Sequence, residues 1–416
     1  MDRKIALAYI AAIVPDGPEF RTAAFSPAGQ MFQENLLSGL HKCGIDEVEV
    51  FSCMPIPAFP AGSKFWVKGQ KIQLKAGIPL RLVSFVNVIF IKQLMIGIAV
   101  FSHLIQWAWR NRANERVILT YNLTVPPGLF TLLAAKISKS KAIAALCDVH
   151  IPGALVPKNV FTVVDFWLHK RLTPYFDGFI AASDAIASDF CSGRPTIRIE
   201  GGLSEQALGY FKSHPRRAMR RDGPDFKIAV AGRLDEVNGI PILLQALESL
   251  PSNIHVYVAG FGPLEEKVKE TAARDCRLHF LGLIPFQQVL ELYNTADLLV
   301  NIRVTKALDT RYFFPSKFTE YVGSGAPVLS TKTGHVETEY GQFVYLLESE
   351  NAECLAATIL KIAQIDFRTR ERMAEAGQAY VLREKTWDRQ AIRAAHLVLR
   401  CLEARDSNGP ATEELQ

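Results

Sequence analysis

The chain has 416 residues, 49% hydrophobic and 21% charged, which excludes a disordered or fibrous polymer and leaves room for two cores of roughly 150–200 residues each. Its net charge of +5 suits anionic ligands or a membrane surface and does not by itself indicate nucleic acid. Seven scattered cysteines without a CxxC pair argue against a zinc site and suit a reducing cytoplasm, and the first seven residues lack the cleavage pattern of a signal peptide.

Apolar runs alternate with helical patterns from the start, the signature of parallel βαβ units. A strand is expected over 5–13 and a helix over 31–40, with Leu36, Leu37 and Leu40 on one face. Gly29, just before that helix, would let backbone amides approach a ligand closely. A second strand follows over 48–51. The stretch 85–109 is strongly apolar and flanked by Lys68, Lys71, Lys75 and Arg81 on one side and Arg110, Arg112 and Arg116 on the other. Three readings stand for it: a membrane span, a helix facing a bilayer interface, or a plain buried helix. Further strands are expected over 117–121, 142–146 and 178–182. Asn122 and His150 fall just after strands, where a hydroxyl or a sugar could be met, although a lone histidine is more often structural.

The pattern breaks into a polar, arginine-rich stretch over 214–224, read as a linker. A new series then supplies strands over 226–232, 254–259, 278–281, 298–300 and 327–330. Two successive series of this kind predict two facing Rossmann-like domains, whose ligands bind beyond the carboxyl ends of strands. Arg233 sits at such a strand end and offers a fork of donors suited to a diphosphate; the plainer reading is a surface arginine paired with Asp235 or Glu236. Gly260 and Gly262 mark another strand-end turn.

The segment 313–331 reads as loop, helix, turn and buried strand. Pro315 suits the first helical position; Phe318, Tyr321 and Val322 recur at helical spacing; Gly323 and Gly325 end the run. The unpaired N–H groups at the helix start would suit a phosphate, with Lys317 close by, and the Glu320 carboxylate would accept hydrogen bonds from sugar hydroxyls. An ordinary αβ unit with a solvated Lys and Glu is the alternative.

In order and spacing, Gly232-Arg233-Leu234, Gly260-Phe261-Gly262, Gly282-Leu283-Ile284-Pro285, Ala296-Asp297-Leu298 and Phe314-Pro315-Ser316-Lys317 resemble the retaining glycosyltransferases of family 4, of a bacterial surface-polysaccharide type. That resemblance implies an α/β fold of GT-B architecture, with a cleft between its two Rossmann-like domains. It implies an acceptor-binding domain over 1–213, a linker over 214–224, a nucleotide-sugar-binding domain over 225–385, and a C-terminal helix with a disordered tail over 386–416. The implied activity is hexosyl transfer from a UDP- or GDP-sugar to a polysaccharide or polyprenyl-linked glycan, with retention and without a metal or other cofactor. It would take place in the cytoplasm, at the inner face of the plasma membrane if the protein contacts anionic lipid.

By the same resemblance Arg233 and Lys317 would neutralise the diphosphate, Glu320 would hold the ribose, and the backbone at Ile284 would meet the base. His150 would contact the donor sugar, and Gly29, Asn122, Gly232, Asn238, Gly262, Tyr312, Ser316 and Thr319 would line the donor. Two positions depart from the family pattern. Tyr312 stands where the first glutamate of the E-x7-E motif is expected, and Asn238 where a lysine usually follows the arginine; Lys317 would restore that charge. These departures keep open a nucleotide-sugar-binding protein without transferase activity. A nucleotide-sugar 2-epimerase ranks lower, because no acid–base pair accompanies Glu320.

Overall fold

Each apolar run read as a strand forms one in the computed structural model, which describes residues 4–404 except 16, 18–19, 21–24, 46, 75–76, 150, 154–155, 157, 192, 217–224 and 306–308. These strands are parallel, and most, such as β1, β8 and β9, are buried almost without alternation. The chain divides into two compact units, residues 1–200 with 390–416, and residues 201–389.

The first unit contains β1 (Ile5–Ala11), β2 (Glu47–Ser52), β3 (Trp66–Val67), β4 (Lys71–Gln73), β5 (Pro79–Leu82), β6 (Phe85–Val86), β7 (Glu115–Tyr121), β8 (Lys141–Leu146), β9 (Gly178–Ala181) and β10 (Thr196–Arg198). Its main sheet runs β10-β9-β8-β7-β1-β2-β5-β4, parallel except for the β4–β5 pair, while β3 and β6 form a small antiparallel ribbon. Helices α1 (Pro27–Lys42), α2 (Lys92–Arg110), α3 (Pro127–Ser138), α4 (Val160–Leu172) and α5 (Asp184–Phe190) make the connections. The stretch 85–109 thus splits into β6 and α2. No described helix is long and apolar enough to cross a membrane, so the spanning reading is not met. One side of α2 buries Ile96, Val100, Leu104 and Trp107, which satisfies the buried-helix reading for that side alone.

The second unit contains β11 (Phe226–Arg233), β12 (Ile254–Phe261), β13 (Leu278–Gly282), β14 (Leu298–Asn301), β15 (Val328–Ser330) and β16 (Tyr345–Leu346), in the order β13-β12-β11-β14-β15-β16 and parallel throughout. Helices α6 (Glu205–Ser213), α7 (Ile240–Leu247), α8 (Glu265–Arg274), α9 (Phe286–Thr295), α10 (Phe318–Gly323), α11 (Ala352–Gln364) and α12 (Phe367–Glu384) belong to it. One apolar layer joins Ile228 and Val256 of the sheet to Leu243 of α7 and Leu355 of α11. The other joins Ala229 and Leu299 to Tyr293 of α9 and Phe318 of α10. The strand order reverses between β11 and β14, and such a switch point opens a crevice at the carboxyl edge of a sheet.

The boundaries differ from the expected division at 214–224 and at 385–386. Helix α6 packs on α9 and α10, with Ala207 and Phe211 in the second core, so 201–213 joins the second unit. At the other end α13 (Trp387–Glu403) begins in the second unit, where the Trp387 N–H donates to Leu203 O, and carries Leu397 and Cys401 against Gly178 of the first. Most of the expected linker and the expected tail from 405 onward lie outside the described residues.

The carboxyl ends of β11 and β12 approach closely. Gly232 pairs with Gly260, both at positive φ (153° and 142°), and a Cβ on Gly260 would stand 1.8 Å from the Gly232 carbonyl oxygen. Gly260→Ala is therefore expected to lower stability by about 2–3 kcal/mol, read as an earlier urea midpoint by circular dichroism. An unchanged midpoint would show that the strand ends can separate.

Candidate functional site

At the switch point of the second unit, β11 delivers Gly232 and Arg233, and β14 leads into Arg303. The Lys317 ammonium lies 3.4 Å from where a Gly232 Cβ would be, ordinary contact range, and it is the backbone at φ 153° that favours glycine at this strand end. What fixes Lys317 there is the helix that follows it. The buried Tyr321 hydroxyl accepts the Ala231 N–H at 2.9 Å and reaches Ala231 O at 3.3 Å, tying α10 to the last turn of backbone before Gly232. Phe318, Tyr321 and Val322 are buried as their spacing predicts, and Ser324 caps the helix ahead of Gly325 at φ 75°.

One expectation needs correction. Helix α10 starts at Phe318, not at Pro315; Pro315 O accepts the Phe318 N–H at 3.0 Å, closing a turn through Ser316 and Lys317. The helix has six residues, so its dipole is short, and the positive charge near the strand end comes from the Lys317 side chain.

The charges here are strongly coupled. Arg233 is mostly exposed, and its Nε pairs with Asp235 Oδ2 at 3.0 Å, the plainer pairing read from the sequence. Burial holds the Arg303 guanidinium below its ordinary pKa while Asp235 opposes the shift. Burial likewise lowers Lys317, opposed by Glu320 and reinforced by Arg303. Glu320, one turn after Lys317, is pushed up to about 7 by burial, with Lys317 pulling the other way. Two partly desolvated cations that repel each other beside an exposed third form a receptor for an anion of more than one charge, because its arrival relieves both the repulsion and the lost hydration. Arg303 escaped the sequence reading; its signal was its place just past β14, comparable to that of Arg233 at the end of β11.

Other expected residues serve the scaffold. Asn238 is held by Asp235, whose Oδ1 accepts its backbone N–H at 2.9 Å and its side-chain amide at 2.6 Å, shaping the turn into α7. A Cβ on Gly262 would meet Leu234 O at 2.4 Å, so that glycine lets two strand-end loops pack. Ile284 lies between β13 and α9 with its side chain against the second core. Tyr312 is buried in a short 3-10 turn under Arg311, Ser316 is exposed, and Thr319 is buried in α10.

In the first unit, Gly29 is the third residue of α1, its N–H capped by Ser26 Oγ at 3.1 Å and its Cα facing the Tyr121 hydroxyl. Asn122, at φ 52°, accepts the N–H groups of Cys147 and Asp148 and donates to Asp148, which commits most of its amide to joining β7 to β8. His150 lies outside the described residues.

Residues 225–364 match the family model described as Glycosyl transferases group 1. That domain makes the chain a glycosyltransferase. Solved structures share its architecture along nearly the whole length. Sucrose-phosphate synthase from Thermosynechococcus elongatus superposes with a TM-score of 0.67 at 15% identity, over 96% of this chain and 100% of that one. HepE of Anabaena in complex with UDP gives 0.64 at 18%, over 94% and 99%, and a glycosyltransferase from Rickettsia africae gives 0.66 at 14%, over 96% and 99%. No curated protein matches in sequence. The fold is therefore the expected α/β GT-B arrangement of parallel Rossmann-like sheets.

The raised Glu320 pKa fixes a pH dependence. A carboxyl held near 7 in the folded state and near 4.5 unfolded adds most to stability below pH 4.5, and that contribution is lost as pH rises through 7. The stability of the wild type relative to Glu320→Gln should therefore fall by up to about 3 kcal/mol between pH 4 and pH 8, measured by urea unfolding at each pH. A constant difference would mean that the folded-state pKa of Glu320 is not raised.

Proposed function

We infer that the chain transfers a hexosyl group with retention from a UDP- or GDP-sugar to a polysaccharide or polyprenyl-linked glycan, using side-chain cations in place of a catalytic metal. The observation that carries this reading is the Lys317 ammonium beside Gly232 at the switch point, with Arg233 at the end of β11 and Arg303 past the end of β14. Negative charge grows on a diphosphate leaving group as the glycosidic bond breaks, and preorganised cations stabilise that charge where it develops. Lys317 supplies the positive charge that Asn238 does not. Glu320 accepts the ribose hydroxyls, the backbone at Ile284 meets the base, and Ser316 lies at the mouth of the donor site. Gly29, Asn122 and His150 are assigned to the sugar end of the donor. HepE, of like fold, has been solved with UDP and with UDP-glucose, which supports a nucleotide-sugar donor. A polyprenyl-linked acceptor would bring the enzyme to the cytoplasmic face of the plasma membrane, in peripheral contact with anionic lipid.

A second reading, nucleotide-sugar binding without transfer, draws on Tyr312 and Asn238: the tyrosine is buried and carries no carboxylate, and the asparagine is tied to Asp235. A panel of UDP- and GDP-sugars offered with lipid-linked acceptors and followed by mass spectrometry separates the two. Turnover supports transfer, nucleotide affinity without turnover or hydrolysis supports the second reading, and no affinity for any donor refutes both. Arg233→Ala, Lys317→Ala and Glu320→Ala should each reduce donor affinity or rate tenfold or more, about 1.4 kcal/mol. Lys317→Ala should cost more than Asn238→Ala. Wild-type kinetics in any of the first three would remove that residue from the site.

A further inference from the structure

We propose that the outer faces of α2, α3 and α4 form one surface that docks on an anionic phospholipid bilayer. The inference names the contact surface for the membrane-facing part of the function inferred above, and it rests on that reading only for its biological purpose. The three helices connect strands that succeed one another in one direction along the sheet, through β7, β8 and β9. Parallel crossovers are right-handed, so all three lie side by side on the same face of that sheet. Their packing agrees: Phe130 of α3 sits against Gly97 and Phe101 of α2, and Leu172 of α4 reaches Gly128 at the start of α3.

Each helix turns an apolar stripe to solvent. Leu94 and Ile98 on α2, Leu133 and Ile137 on α3, and Val164 and Trp167 on α4 are all more than 40% exposed. Phe90, two residues before α2, is 78% exposed and held at φ 71°, a conformation that a bulky side chain adopts at a cost. Scattered surface leucines need no explanation, but aligned stripes on three neighbouring helices do.

The charge pattern selects the partner. The chain has 42 acidic residues, yet these three helices contain one, Asp165, and its carboxylate accepts the Val125 N–H. Basic residues cluster at the ends of the stripes: Arg112 after α2, Lys136 and Lys139 at the end of α3, Lys170 and Arg171 at the end of α4, while Arg110, the last residue of α2, is paired with Glu49 at 2.9 Å. Two of these arginines stack on exposed tryptophans, Arg112 on Trp109 at 5.1 Å and Arg171 on Trp167 at 4.7 Å. Amphipathic aromatics beside cations suit the headgroup layer, where rings lie among acyl carbons and cations meet lipid phosphates. A second copy of the same face would bring like charges together, which disfavours self-association.

The full-length chain should co-sediment with phosphatidylcholine vesicles containing phosphatidylglycerol, far less with phosphatidylcholine alone, and less again as salt rises. The double substitution Leu94→Asp and Ile98→Asp should weaken this partitioning at least tenfold. Lys136→Glu with Lys139→Glu should weaken it and flatten its salt dependence. All four side chains are solvent-facing, and circular dichroism and UDP affinity, read separately, should remain those of the wild type. Wild-type chain left in the supernatant with anionic vesicles would overturn the proposal. So would variants that sediment like the wild type, or a wild-type dimer in analytical ultracentrifugation that the α2 substitutions dissolve. Vesicle binding without donor binding would instead strike the functional reading and leave this surface standing.

Discussion

The second unit is organised around the close approach of its strand ends. At the end of β11 Gly232 lies at φ 153°, and a lysine from far along the chain brings its ammonium into contact range of it. Three other features hold this corner together. Gly260 must lack a Cβ because the neighbouring strand end lies against the Gly232 carbonyl, and Gly262 must lack one because its loop packs on Leu234. The Tyr321 hydroxyl must grip the Ala231 backbone, because without that tether α10 would have no fixed height above the strand and Lys317 no fixed place.

The electrostatics follow from the same geometry. Packing Lys317 and Glu320 into one turn beside a strand end removes both from water and shifts both toward neutrality, while Arg303 adds a second half-buried cation that opposes the charge of Lys317. A site built this way is costly without an anion and favourable with one, which is the character a diphosphate leaving group requires. Arg233 is exposed and paired with Asp235.

The first unit shows the opposite arrangement on the outer faces of α2, α3 and α4, where apolar side chains face water and Asp165 is the one carboxylate. Helix α2 makes the division plain: one side buries Val100, Leu104 and Trp107 in the core, and the other exposes Leu94 and Ile98. Its high overall hydrophobicity is therefore the sum of two faces with different tasks, and neither face resembles a membrane span.

Strand positions and the placing of the glycine turns were legible in the sequence, because period and turn chemistry are local properties. The strand from 226 and the run Phe318, Tyr321, Val322 are examples, each buried as expected. Other features were decided by packing between residues remote in the chain. Helix α6 joined the second unit because its apolar side met α9 and α10, which moved the boundary away from the polar stretch after it. Asn238 became a turn-former because Asp235 captured its amide, and Arg303 joined the cations because β14 lies beside β11. The sequence by itself determined which residues stand at strand ends; which of them meet, and so which charges share a site, was decided only when the strand order brought those ends together.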